Sequence, residues 1–202
     1  YEEYPGAYEE VVAVTASDQF DNPAWFTTYG DWVEVAAPGV DIYSTLPTYN
    51  VTLNNPGYNR KKNYDYLSGT SMACPHAAGV AALIWSRFPN ATRDWVRAQL
   101  KFTADDLGPQ CFDEYYGYGR VNARRAVEPL PSHDLIILGW NRPAYVEPGS
   151  SGIVNTTVVN FGSSNEAGIT VQLRVNGSTV NSAYISYLES MKSGTVSCSW
   201  TP

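Results

Sequence analysis

The segment "SGTSMACPHAAGVAAL", residues 68–83, places Ser71 just before a long apolar run. From Pro75 to Trp85 almost every residue is apolar or small, so the run predicts a helix that is apolar all round and buried. Because proline is best tolerated in a first helical turn, Ser71 lies at or just before the N-terminal end of this helix. Main-chain N–H groups at such an end lack helical partners and favour negative charge.

Ser71 fits two roles on local chemistry. As a nucleophile, its Oγ would attack a carbonyl beside N–H donors that stabilise the oxyanion, and Gly69 would leave room for a substrate chain. As an N-cap in a Gly-Thr-Ser turn it would need no further partner, and local chemistry alone favours that role. A nucleophile also needs a base, but His76 points about 140° away around the helix and His133 lies in a predicted linker. If Ser71 is catalytic, we expect its partners to lie outside these 202 residues.

The composition argues against several classes of protein. A hydrophobic fraction of 44% over 202 residues predicts a globular chain with one domain of ordinary size and a smaller one. The formal net charge of −7 argues against a nucleic-acid partner, and we interpret the basic run at residues 60–62 as a solvated loop. No stretch approaches the roughly 18 consecutive apolar residues of a transmembrane segment. We therefore expect a soluble protein, in an oligomeric state that the sequence leaves open.

The cysteines and the N-terminus bear on the cellular compartment. Cys74, Cys111 and Cys198 are too few and too scattered for a disulfide framework or a zinc site, although one bridge stays open. The start "YEEYPGAYEEVVAV" has neither the basic region nor the unbroken apolar core of a secretory signal. Either the protein is cytosolic or its true start is missing.

Two prolines divide the chain into regions of different composition. Pro129 and Pro131 follow the short helical pattern "VNARRAV" and have the character of a linker. This predicts one domain over residues 1–130 and a second domain over residues 131–202.

The first region has the pattern of an α/β domain. Alternating apolar residues in "VVAVTAS" and on both sides of the turn signal "APG" predict short strands. Thr92 is the predicted N-cap of an amphipathic helix that carries Trp95 and Gln99 on its apolar side and ends before Gly108. Strands followed by a buried helix and an amphipathic helix are typical of the end of a layered α/β domain.

The second region has the pattern of a β-sandwich. "GITVQLRVNGS" alternates apolar and polar residues and turns at Asn176-Gly177, which predicts a half-buried strand that enters a hairpin. "DLIILGW", "GIVNTTVVNFG", "AYISYL" and "TVSCSW" bring the predicted strands to five. A seven-stranded sandwich needs about 100 residues, so we expect an incomplete one.

The motif "SGTSMACPHAAGVAAL" closely resembles the serine signature of the subtilisin-like serine proteases, the subtilases of peptidase family S8. The segments "YPGAYEEVVAVTASDQFDN" and "YGYGRVNARRAV" look like the parts of the catalytic domain on either side of it. The resemblance covers residues 1 to about 128 and implies the C-terminal half of a parallel-sheet, three-layer α/β domain. The tail "VEPGSSGIVNTTVVNFG" resembles, less specifically, the adhesion-type, CARDB-like or Ig-like sandwiches appended to secreted proteases.

The resemblance implies a role for each residue of the motif. Ser71 is the nucleophile of peptide-bond hydrolysis through an acyl-enzyme, and its own N–H is one oxyanion donor. Thr70 assists at the oxyanion, Met72 lies on the leaving-group side, and His76 is a structural member. The family's Asp, His and oxyanion-hole Asn would precede residue 1, so we expect the 202 residues alone to be inactive. No cofactor is implied for the chemistry, and the implied partners are protein or peptide substrates.

Two further implications concern the first loop. In relatives, three main-chain carbonyls and one carboxylate hold a cation, and oxygen ligands suit calcium. The matching residues here are Gly6, Tyr8, Val11 and Glu34. Glu3 falls where relatives form the floor of a substrate pocket, and a carboxylate there would favour Lys or Arg before the scissile bond. An ordinary turn and an exposed acid are the alternatives.

The chain departs from the family pattern in two places. The segment "TYNVTLNNPGYNRKKNYDYL", residues 48–67, is longer than in many relatives and is either a solvated insertion or a part of the substrate groove. Cys74 stands where Ala, Ser or Thr is common, and we expect a buried free thiol there.

The resulting hypothesis is a secreted, extracellular or cell-surface serine endopeptidase. Two alternatives stay open. The first is a pseudoenzyme in which the preceding Asp or His is replaced. The second is a cell-surface binding protein that acts through its β-sandwich.

Overall fold

The computed structural model describes residues 3–202 and divides into two compact units. Unit 1 comprises the chain up to Leu83 together with Leu100–Ala126, and unit 2 comprises Ile84–Gln99 and Val127–Pro202. The contacts thus group the helical segment Ile84–Gln99 with the C-terminal residues. The domain boundary at residue 130 stays a prediction from the sequence. Within residues 3–202, no helix combines the length and the apolar character that crossing a bilayer requires.

Unit 1 contains short strands and helices, whereas strands dominate unit 2. The described elements, in chain order, are β1 (Val14–Ser17), β2 (Val35–Pro38), β3 (Ile42–Thr45), a 3-10 helix (Thr52–Asn54), β4 (Tyr64–Leu67), α1 (Thr70–Arg87), α2 (Arg93–Phe102), α3 (Ala123–Ala126), β5 (Leu135–Asn141), β6 (Gly152–Asn160), β7 (Glu166–Val175), β8 (Ser178–Leu188) and β9 (Ser193–Trp200).

A parallel pair of strands is the centre of unit 1. Val14 of β1 lies opposite Val35 of β2. On the other side of β2, the Ala36 N–H donates to Gly119 O at 2.9 Å and the Val121 N–H donates to Ala36 O at 2.9 Å. Parallel neighbours with a helical crossover are the signature of an α/β layer, so the predicted α/β class of this region is confirmed.

Helix α1 is buried on one face only. Ala73, Ala77 and Val80 are buried, whereas Leu83 is 50% exposed and Trp85 is 43% exposed. The buried positions follow the spacing of a single helical face. The prediction of a helix buried all round is therefore wrong. Apolar composition predicted burial, but among the described residues only one face of α1 meets the small-residue core that Ala73 shares with the sheet.

Helix α2 begins where the sequence predicts. The Trp95 N–H donates to Thr92 Oγ1 at 3.2 Å, which confirms Thr92 as the N-cap. Trp95 is fully buried, and its ring stacks on Phe161 with the centroids 5.3 Å apart. The Phe88 ring meets Trp95 edge to face at 5.1 Å. The beginning of α2 thus supplies the aromatic core of unit 2.

Antiparallel strands in two sheets make up the rest of unit 2. One sheet has the order β5-β6-β9 and the other pairs β7 with β8. The β7–β8 hairpin turns at Asn176 and Gly177, both with positive φ, as the turn chemistry predicts. The Lys192 Nζ donates to Asn90 O at 2.7 Å, and the Ser193 hydroxyl donates to an Asp94 carboxylate oxygen at 2.9 Å. These bonds join the strands to the start of α2, and the predicted β-sandwich region is confirmed.

Arg120 joins several segments of unit 1 in a charged network. Its guanidinium donates to Asp105 at 2.9 Å and also to Asp21. Asn122 and Arg125 donate to Asp105 as well. Burial raises the pKa of Asp105, but the hydrogen bonds from Asn122, Arg120 and Arg125 together outweigh burial and hold that pKa below its usual value.

We expect Asp105 to make the stability of unit 1 sensitive to acid. Because its folded pKa lies below the unfolded value of about 3.9, the ionised carboxylate stabilises the fold above that pH, and this contribution is lost as the pH falls through the folded pKa. Asp105→Asn should therefore lower the free energy of unfolding at neutral pH and flatten its pH dependence below about pH 4. Urea unfolding of both proteins over this pH range is the measurement, and parallel pH profiles would contradict the expectation.

Candidate active site

Ser71 lies in the first turn of α1, and its side chain is exposed. Thr70 begins the helix, and the N–H groups of Met72 and Ala73 both donate to Gly69 O, at 2.9 and 3.4 Å. The N–H groups of Thr70 and Ser71 therefore belong to the helix end, where no carbonyl of the helix itself can accept them. These donors and the helix dipole favour an anion beside the Ser71 hydroxyl.

Two glycines hold this turn against the end of β2. The Gly69 N–H donates to Gly39 O at 2.8 Å. A Cβ on Gly39 would lie 2.6 Å from the Ala16 Cβ and 2.9 Å from Gly69 O, so a side chain at this position would force the segments apart. Ala16 and Ala73 pack in the same small-residue core. The "APG" turn after β2 thus fixes the position of the Gly-Thr-Ser turn.

Pro75 lies inside α1 rather than at its first residue. A proline offers no N–H to the carbonyl four residues earlier, which is the carbonyl of Ser71, and its ring crowds that carbonyl. The regular hydrogen-bond pattern of the helix is therefore interrupted at Ser71.

Ser71 lines a cavity of about 770 Å³ in unit 1. A cavity of this size suits a small ligand or a segment of a larger one. The walls are the first loop, the start of β1, the segment before β2 and one face of the first turns of α1. The lining residues are 3–6, 11–14, Thr28, Trp32, Thr70, Ser71, Cys74, Pro75 and Ala78.

The cavity brings together residues that are distant in the sequence. The predicted site residues that line it are Glu3, Gly6, Val11, Thr70 and Ser71. Met72, Tyr8 and Glu34 are not among its lining residues. Glu3 and Ser71 thus line the same cavity.

Both histidines have hydrogen-bond partners other than Ser71. The His76 Nδ1 donates to Met72 O at 2.8 Å, in keeping with the predicted structural role. In unit 2, the His133 Nδ1 lies 2.7 Å from the Glu166 carboxylate, so this side chain is engaged rather than part of a free linker. Within residues 3–202 the structure therefore describes no histidine bonded to the Ser71 hydroxyl.

The residues of the predicted calcium set fit that ion only in part. The Glu34 carboxylate is buried and lies 3.5 Å from the ammonium group of Lys101, whose Nζ also lies 4.8 Å from the centre of the Tyr118 ring. Because an ammonium group this close repels a second cation, Glu34 is poorly placed to bind calcium. The Val11 N–H donates to Tyr8 O at 2.9 Å, which uses part of that carbonyl's acceptor capacity. No group of three or more acidic, histidine or cysteine side chains in the described chain is arranged to hold a metal.

The sequence-based predictions missed several residues of the cavity. Cys74 is exposed and lines the cavity, so the prediction of a buried thiol there is wrong: its small neighbours suggested burial, but this face of the first turns is open. All three cysteines are free, so the bridge that the sequence left open is not formed. Thr28 and Trp32 are also lining residues, and a Cβ on Gly6 would lie 3.4 Å from the Trp32 ring. For Thr28 and Trp32, the only hint in the sequence was the presence of a tryptophan just before a buried strand.

Ser71 is thus an exposed serine at a helix end, held by close glycine contacts beside a cavity. The chain belongs to the subtilase family, whose family model matches residues 1–119. A second model, described as CARDB, matches residues 132–202. The predicted subtilase fold and the predicted adhesion-type second region are thus both confirmed.

Curated relatives extend the same likeness. The chain is 45% identical over 123 residues to the thermophilic serine proteinase of Bacillus sp. (strain AK1), covering 61% of this chain and 26% of that protein. It is 44% identical over 125 residues to thermitase of Thermoactinomyces vulgaris, covering 62% of this chain and 39% of that protein. The chain thus spans between about a quarter and two fifths of the length of these relatives.

The solved structures give the same result. The crystal structure of fervidolysin from Fervidobacterium pennivorans, described as a keratinolytic enzyme related to subtilisin, matches with a TM-score of 0.56 and 29% identity. The match covers 77% of this chain and 29% of that structure.

Proposed function

We propose that this chain is part of a serine endopeptidase that hydrolyses peptide bonds in proteins, with Ser71 as the nucleophile. The observation that carries the proposal is the exposed Ser71 hydroxyl in the first turn of α1, lining a cavity of about 770 Å³. Membership of the subtilase family and the relatives named as proteinases support it. We further propose that the protein acts outside the cell, because one relative is named as an extracellular serine protease, Nep of Natrialba magadii.

The geometry supports the following chemistry. The Ser71 Oγ attacks the carbonyl carbon of the scissile bond and loses its proton to a base that residues 3–202 do not supply at hydrogen-bonding distance. The negative charge that forms on the carbonyl oxygen is stabilised by the Ser71 N–H, with Thr70 beside it at the helix end. The C–N bond breaks as the leaving amine takes up the proton, and water then hydrolyses the acyl group from Ser71.

The test is covalent labelling of the complete protein with a fluorophosphonate. A serine that is activated by a base reacts with such a probe, whereas an N-cap serine does not. We expect one adduct, which peptide mass spectrometry places on Ser71. An intact, folded protein that gives no adduct at Ser71 would favour the pseudoenzyme and contradict the proposal.

Glu3 is the proposed determinant of substrate preference. Glu3 lines the same cavity as Ser71, so we expect its carboxylate to make the complete enzyme prefer Lys or Arg before the scissile bond over a neutral residue of similar length. Because Glu3 is exposed, we expect about a tenfold preference, which corresponds to roughly 1.4 kcal/mol. Competition between Arg and Met anilide substrates measures it, and Glu3→Gln should abolish the preference while keeping activity on Met. A preference that persists in Glu3→Gln would exclude this role.

Calcium binding by Gly6, Tyr8, Val11 and Glu34 stays a proposal of the same kind. Gly6 and Val11 line the same cavity, and oxygen ligands suit the ion. The Lys101 ammonium at Glu34 argues against the carboxylate as a ligand. No step of the reaction depends on the ion.

A further inference from the structure

Three tyrosine rings form an exposed stack on one face of the β3–β4 hairpin. Tyr43 lies directly opposite Tyr66 in the antiparallel register, and Tyr64 shares that face because alternate residues of a strand point the same way. The Tyr43 ring centre lies 4.8 Å from that of Tyr66 and 5.7 Å from that of Tyr64. The rings are 59%, 51% and 52% exposed in that order. A contiguous exposed aromatic cluster of this kind marks an interaction surface.

The basic residues Arg60, Lys61 and Lys62 directly precede β4 and are all exposed. Their main chain is anchored to β4: the Lys61 N–H donates to Asp65 Oδ2 at 2.8 Å, and the Tyr64 N–H donates to Lys62 O at 2.9 Å. The cluster is therefore held at the start of β4, next to Tyr64 in the chain, rather than on a free loop. In a chain of formal net charge −7, it is the densest positive charge in the sequence.

The Asp65 carboxylate is bonded to the main chain of this cluster, and main-chain groups occupy both of its oxygens. The Lys61 N–H and the Tyr66 N–H each donate to it at 2.8 Å. These hydrogen bonds, followed by the charges of Arg60 and Lys61, hold the pKa of Asp65 below its usual value. The carboxylate thus organises the loop, and the three basic side chains still outnumber it at the start of β4.

We propose that the tyrosine–basic surface, formed by Tyr43, Tyr64, Tyr66 and residues 60–62, is an exosite that binds an acidic segment of the polypeptide substrate outside the cleft. The proposal rests on the proposed function. Aromatic faces pack against apolar and planar groups of a polypeptide, and the cations attract its carboxylates.

The short connection between the hairpin and the Ser71 turn supports a substrate as the molecule that binds the tyrosine–basic surface. β4 ends at Leu67 and α1 begins at Thr70, and the Gly69 N–H bond to Gly39 O fixes the connection between them. A polypeptide held on the hairpin would therefore lie on the strand that leads directly into the Ser71 turn. Holding a substrate near the cleft raises its effective concentration there.

The experiment measures binding and cleavage separately in the complete protein. The probe is a fluorescein-labelled peptide of alternating Glu and Phe, and its neutral counterpart has Gln for Glu. We expect Tyr43→Ser/Tyr64→Ser/Tyr66→Ser and Arg60→Ser/Lys61→Ser/Lys62→Ser each to weaken binding of the acidic peptide about tenfold or more. High salt should weaken binding to the wild type.

Matched controls come from the same loop and from unit 2. Tyr49→Ser/Tyr58→Ser removes two exposed tyrosines that are outside the described ring stack, and Arg142→Ser removes an exposed cation of unit 2. Both variants should bind the acidic peptide as the wild type does. The surface variants should lose kcat/KM on a substrate that carries the acidic tail and keep it on a short anilide substrate.

Each outcome decides between the proposals. Unchanged affinity in the surface variants, or equal binding of the acidic and neutral peptides, overturns the exosite. Tighter binding of polygalacturonate than of the acidic peptide also overturns it, in favour of an anionic glycan. Surface-dependent peptide binding in a protein that the fluorophosphonate does not label would overturn the proposed function and leave polypeptide binding by this surface intact.

Discussion

Replacing Ser71 with alanine in the complete protein is expected to lower kcat for peptide hydrolysis by about 10⁶-fold, the size known for loss of the nucleophile in subtilisin, a member of the same family. The reason is structural. Ser71 is the exposed hydroxyl in the first turn of α1 that lines the cavity, and alanine keeps the fold while it removes the atom that forms the acyl-enzyme. Initial rates on an anilide peptide measure the effect.

Ser68 is the matched control for Ser71. Its hydroxyl accepts the Asp41 N–H at 2.9 Å and lies three residues before the proposed nucleophile. Ser68→Ala should retain activity within a few-fold and should still be labelled by a fluorophosphonate. Residual activity of Ser71→Ala near the wild-type level would show that another residue acts as the nucleophile. The 202-residue chain alone is expected to be inactive in the same assay.

The second large effect is expected at the buried Lys101–Glu34 pair. Both side chains are about one-tenth exposed, and their charged atoms lie 3.5 Å apart. Lys101→Met removes the ammonium group from beside a buried carboxylate and from the face of the Tyr118 ring. Loss of one partner of a buried pair costs about 3–5 kcal/mol. Urea unfolding of the chain at neutral pH is the measurement.

A double replacement separates charge burial from packing. Glu34→Gln/Lys101→Met should recover most of the lost stability, because no uncompensated charge is then buried. Lys62→Met, at an exposed position, should change the free energy of unfolding by no more than about 0.5 kcal/mol. A Lys101→Met protein as stable as Lys62→Met would show that the pair contributes nothing. If Glu34 binds calcium instead, Lys101→Met should tighten calcium binding.

Local chemistry made part of the structure predictable. The Thr92 cap and the Asn176-Gly177 turn follow from side chains and backbone preferences that act over a few residues. The Ser71 position at a helix mouth also follows from local signals, since Pro75 and the apolar run mark the helix start within a few residues.

Contacts between distant segments could not be predicted from local chemistry. The exposed side of α1 carries Trp85 and Leu83, and only the elements that pack on a helix decide which apolar side it buries. Glu3 and Ser71 meet in one cavity, and only resemblance to a family suggested their proximity. The Lys101–Glu34 pair had no sequence signal, because neither spacing nor composition links the two residues.

The grouping of Ile84–Gln99 with Val127–Pro202 bears on how such a protein could be assembled in evolution. A gene fusion at the linker would transfer the strands of unit 2 but not the segment whose Trp95 stacks on Phe161 and whose Asp94 accepts a hydrogen bond from Ser193. The strands of unit 2, the strand module, therefore cannot be exchanged without loss of these contacts. A laboratory exchange of this module is expected to succeed only when both segments are exchanged together.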